Sequence, residues 1–199
     1  MSNAGEPERP MSGKGAAVAR GIQRVWDPRV WGTMVGAVGA TVFVLSNRTD
    51  LVRPWPAIAT LSWAVGLAAY AWFVFAASRH FPAVQPLGRR AGLVYLGSVV
   101  AMLALIRVGT IALESQQRSP LRPAVIVVAV GLHFLPFARA FRTPMFTILG
   151  LLMAGLGTLG LVLGWFWYQT AAPATAVLAG LVMLAVLAVD AARSMAGRA

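Results

Sequence analysis

Three residues able to do chemistry stand inside otherwise apolar runs: Arg107 in ALIRVGTIALE, Glu114 at the end of the same run, and His133 in GLHFLPFARAFRTP. An arginine in hydrocarbon costs about 2.5–3.5 kcal/mol on insertion scales, so a retained one implies an anion, a wet cavity or a nearby interface. Glu114 follows seven residues on, two helical turns later on the same face, so the pair could line a polar stripe. The simpler reading lets Arg107 snorkel to the interface or meet Glu114 through water. His133 can change charge near neutral pH, which suits a proton relay. A neutral imidazole can instead donate one hydrogen bond to a neighbouring helix. With no Asp or Glu close by in sequence, that plainer role is preferred. Pro136, three residues on, cannot donate to the Leu132 carbonyl, so it frees an acceptor beside the imidazole and suits a helix kink. His133, Arg107 and Glu114 are thus the candidate cavity or binding residues, with Pro136 as the helix-kink residue.

Catalytic patterns are missing. There is no HExxH, no GxSxG, no P-loop, and no GxGxxG set between a strand and a helix. DAAR at 190–193 is only a fragment of the longer acidic signature of membrane phosphoalcohol transferases. The chain has no cysteine, which removes disulfides, thiolate metal sites and thiol nucleophiles. Its two histidines, His80 and His133, are too few for a metal cluster, and their different depths rule out a pair of axial haem ligands. No catalytic residue, metal or cofactor is expected, and the chain does not read as an enzyme.

The elements that carry these residues follow from composition. Charged residues make up 12% of the 199, about half the usual share for a soluble domain, and none lies between Thr143 and Val189. Six spans are expected, at about 30–46, 55–77, 91–113, 123–141, 144–168 and 171–190, each near the length a helix needs to cross hydrocarbon. Only helices and closed barrels satisfy backbone amides there, and strand-type alternation is absent. The fold class is therefore all-α, a polytopic membrane helix bundle. Residues 1–29, rich in Gly, Pro and Arg, read as a disordered or interfacial tail, and 191–199 as a short C-terminus. A cleaved signal peptide fits poorly, because the first apolar run is long and ends in VLSNRTD.

The net charge of +11 invites a nucleic-acid reading, but the basic residues are scattered between apolar runs and line no single face. They anchor a bilayer instead. Twelve fall on the side of the termini and four on the other, which predicts a cytoplasmic N-terminus and C-terminus in the plasma membrane. Trp165, Phe166, Trp167 and Tyr168 then sit at the outer interface, where amphipathic rings settle. Arg139 and Arg142 mark a helix end at the cytoplasmic side, followed by Pro144 in a first helical turn. Gly32, Gly36 and Ala40 form one small-residue stripe, and Gly150, Ala154, Gly157, Gly160 and Gly164 another. Packing within the bundle is the preferred use of these faces, with a homo-oligomer contact as the alternative.

The stretch GLHFLPFARAFR resembles a motif of small six-span bacterial integral membrane proteins of uncharacterised function, in which G-x-H-F-L-P opens a late helix. The matching residues are Gly131, His133, Phe134, Leu135 and Pro136. The resemblance implies a bacterial inner-membrane location and draws attention to His133, but it implies no activity. Two functions remain: a structural or accessory membrane protein, and a small permease or channel for an ion or small molecule, its polar cavity near His133, Arg107 and Glu114.

Overall fold

The computed structural model describes residues 28–76, 89–141 and 144–196, and every regular element among them is helical. The six long helices are α1 (Pro28–Asn47), α2 (Trp55–Ala71), α3 (Arg89–Ser115), α4 (Arg122–Phe141), α5 (Pro144–Phe166) and α6 (Ala171–Ala196). A π-helical turn, Trp72–Ala76, prolongs α2. Among the described residues, five stretches are long and apolar enough to cross a membrane: Trp55–Phe75, Gly92–Ser115, Ser119–Pro136, Met145–Phe166 and Ala171–Arg193. Residues 1–27 of the tail, His80, Arg79 and Arg142 lie outside the described residues, whereas positions 28 and 29, expected in the tail, begin α1.

The core is organised around α6. This helix packs against α1, α2, α4 and α5, and buries Ala172, Ala176, Ala179, Met183, Leu184, Leu187 and Ala191. Those positions fall within one broad arc of the helix, where the alanines let neighbours approach and Met183, Leu184 and Leu187 fill the core. The carbonyl oxygen of Ala40 in α1 comes so near that a Cβ on Gly180 would stand 2.7 Å from it. Between α1 and α2 the cross-links are polar. The Tyr70 hydroxyl meets Thr33 Oγ1 at 2.9 Å, and the Trp63 indole donates to Thr41 Oγ1 at 3.1 Å.

The α4–α5 pair is the most intimate contact. A Cβ on Gly157 would lie 2.6 Å from the backbone nitrogen of Val128, and one on Gly150 would lie 2.8 Å from the Gly131 carbonyl oxygen. Gly160 and Gly164 face Thr175 and Leu121 in the same way, so this glycine stripe is filled inside the chain. Gly36 packs on Leu187, whereas a Cβ on Gly32 would meet nothing within 4 Å among the described residues.

By contrast, α3 is peripheral. It packs chiefly against α4 through a narrow stripe that includes Ser98, Gly109 and Leu113. Most of its remaining surface is open: Val94, Leu96, Val100, Leu103, Val108 and Ile111 are exposed. A helix that turns its large apolar side chains outward reverses the aqueous arrangement and suits a lipid solvent.

Candidate functional site

The candidate residues all lie on α3 and α4, which are joined by a tight turn at 116–121. The turn closes with the Arg118 amide donating to the Leu113 carbonyl at 2.8 Å and the Gln117 amide donating to the Glu114 carbonyl at 3.0 Å. That is the Schellman pattern, which places its C′ residue in the left-handed region. Here the residue is Gln117, with φ 56°. Reversing the chain this sharply carries Arg122 back beside the last turn of α3.

Glu114 is thereby engaged. Its carboxylate accepts from Arg122 Nη2 in an ion pair whose two side chains are each 43% exposed. Beside them, Arg118 lies over the Trp165 ring, its Cζ 5.1 Å from the ring centroid, and its Nη1 donates to the Trp165 carbonyl at 3.4 Å. These contacts stitch the α3–α4 turn to the end of α5. Sequence reasoning missed Arg118, Arg122 and Trp165 as a cluster, because it treated the loop arginines only as markers of orientation. The available signal was a carboxylate and two arginines within nine positions, flanking a proline-bearing turn.

Arg107 stands apart. Its side chain is exposed on the outer flank of α3 and makes no hydrogen bond or ion pair among the described residues. It shares a face with Glu114, about 10 Å along the helix at 1.5 Å per residue, but the carboxylate is held by Arg122.

His133 is half-buried where α4 meets α3. Its ring meets the Tyr95 ring edge-on, with centroids 6.3 Å apart and planes at 61°, and the backbone of Ser98 lies within hydrogen-bonding reach. The next residue, Phe134, stacks on Phe146 of α5 at 5.8 Å, with planes 7° apart. The imidazole is thus part of an aromatic seam that runs from α3 through α4 to α5. Ser98 lies nine residues before Arg107, about 13 Å along α3, so the two candidate groups occupy different levels of the bundle.

Pro136 lies inside α4, which stays helical from Arg122 to Phe141. With Val94, Leu132, Leu135 and Arg139 it lines an open groove of 600 Å³ on the α3–α4 flank. A second groove, of 460 Å³, lies between α2 and α6 and is lined by residues that include Trp55, Ile58 and Leu178. Arg107, Glu114 and His133 line neither groove. Among the described residues no three of His, Asp and Glu stand close enough to hold a metal ion.

A lipid-compatible helical bundle with a charged, aromatic turn at one end is the class these features define. The chain matches no protein-family model, no curated protein and no solved structure.

Proposed function

We propose that this chain is a multi-pass integral membrane protein of structural or accessory type, non-enzymatic, residing in a bacterial plasma membrane with six spans and both termini cytoplasmic. The observation that carries the reading is the separation of its polar groups. Glu114 is satisfied by Arg122, His133 sits in an aromatic seam, and Arg107 faces outward with no partner among the described residues. A permeation path would need such groups to converge on shared space, and the two grooves are lined by other residues. The orientation is supported by the bias of the basic residues, twelve on the side of the termini against four on the other, while the exposed Phe166, Trp167 and Tyr168 mark an interface without choosing its side.

The test is flux through the purified chain in sealed vesicles, with protons, potassium and chloride as probes between about pH 5 and 8, the range in which an imidazole titrates. The accessory reading expects the same leak as protein-free vesicles, with His133→Ala unchanged. A flux carried by the wild type and lost in His133→Ala would replace it with the permease reading.

A further inference from the structure

We infer that the open face of α3 docks a transmembrane helix of another protein that carries an aspartate or glutamate at the level of Arg107. This deepens the accessory reading and rests on it, since an accessory protein must meet something and Arg107 specifies the chemistry of that partner.

Arginines within a span almost always face a bundle interior, a water-filled cavity or a counter-charge. Arg107 has none of these among the described residues: it is exposed, it is unpaired, and it lies in neither groove. Escape to the headgroups is poorly served as well. The nearer end of α3 is Ser115, about 12 Å away along the axis. Side chains on a helix lean toward its N-terminus, which here means away from that end. An anionic lipid headgroup is therefore a poor counter-ion for Arg107, and a carboxylate on a neighbouring helix at the same depth is a good one.

The described residues of a second copy do not supply that carboxylate. Of the acidic residues among the described ones, Asp50 lies in the α1–α2 turn. Glu114 is about 10 Å from the level of Arg107 and already paired. Asp190 is 19 residues into α6, which starts at the bundle end shared with the α3–α4 turn, so it lies about 28 Å from that end. Two copies related by an axis along the membrane normal would also set Arg107 against Arg107. The partner is a different chain.

The surface around Arg107 fits a helix. Gly97, Ala101 and Ala104 are all exposed on one side of α3, and nothing lies near the position of a Cβ on Gly97. Small side chains there admit a second backbone at close range, while Val100, Val108 and Ile111 supply apolar contact on either side.

The test uses the full-length chain in phosphatidylcholine vesicles and a synthetic leucine–alanine transmembrane peptide with one aspartate at the depth of Arg107. An otherwise identical peptide with leucine at that position is the control, and association is read by energy transfer between labels. The aspartate peptide should associate about tenfold more tightly than the control, the range open to a polar contact between helices. Arg107→Leu should remove the preference. That variant makes the span more apolar, so its insertion is not in question. Arg107→Asp should transfer the preference to a peptide carrying arginine. Equal association of the two peptides, or an aspartate preference that survives Arg107→Leu, overturns the proposal. So does a preference abolished by adding phosphatidylglycerol, which would assign the arginine to lipid phosphate, or Arg107-dependent self-association of the chain. None of these outcomes alters the vesicle flux on which the accessory reading stands.

Discussion

The carboxylate of Glu114 is held by Arg122, eight residues ahead across a turn, and not by Arg107, which lies behind it on its own helix. The pair caps the α3–α4 hairpin at its rim. With both side chains 43% exposed, solvent discounts the Coulomb term heavily. A double-mutant cycle with Glu114→Gln and Arg122→Gln, read by unfolding in detergent, should give a coupling of about 0.2–1 kcal/mol that fades as salt is added. A coupling several times larger would place the pair in a much drier setting.

Gln117 occupies the left-handed position that closes α3, with φ 56°. An L-residue with a Cβ is disfavoured there by about 1–2 kcal/mol, and glycine is not. Gln117→Gly should therefore raise stability by about 1 kcal/mol, seen as a higher melting temperature in detergent. Gln116→Gly, one position earlier, should show no gain.

The α4–α5 contact tolerates no added side chain at its closest points. Gly157→Ala would drive a methyl to 2.6 Å from the Val128 nitrogen, and because the obstacle is backbone the helices must separate. A loss of about 1–3 kcal/mol is expected from such overpacking. Gly155→Ala meets nothing within 4 Å and should be neutral or gain up to about 1 kcal/mol from helix propensity. Thermal scans of the two variants side by side would separate packing from propensity.

The proposed orientation is open to a clean labelling experiment, since the chain has no cysteine of its own. Single cysteines at Thr49, Gln116 and Gln169 fall in the three turns that join α1 to α2, α3 to α4 and α5 to α6. All three should react with a membrane-impermeant maleimide added outside intact cells. Cysteines at Ser2 and Gly197 should react only after permeabilisation. The reverse pattern would invert the molecule, and a mixed one would break the span count.

The helical class was legible because solvent chemistry leaves little choice: an uncharged run such as 144–189 admits helices and little else. The glycine stripe of α5 also announced a close helix contact, though nothing in its spacing said that α4 and α6 would fill it. The partner of Glu114 was not legible. Helical periodicity points from Glu114 back to Arg107, whereas the observed pairing depends on a reversal around Gln117, where no glycine signals the left-handed turn. Nor could the outward aim of Arg107 be read, since periodicity orders the faces of α3 but does not name the one that α4 covers. The aromatic seam around His133 depends in the same way on which helices adjoin, and Tyr95 and Phe146 lie 38 and 13 residues away in sequence.

The hub position of α6 bears on how the molecule is made. Four of the five other helices touch it, α1 and α2 find most of their packing on it, and it leaves the ribosome after all of them. Until then α1 and α2 have little but each other and lipid to lean on, while α4 and α5 can already pair. Biogenesis should accordingly stall as two loosely held parts that await one late arrival, and nascent chains halted before α6 should be readily degraded.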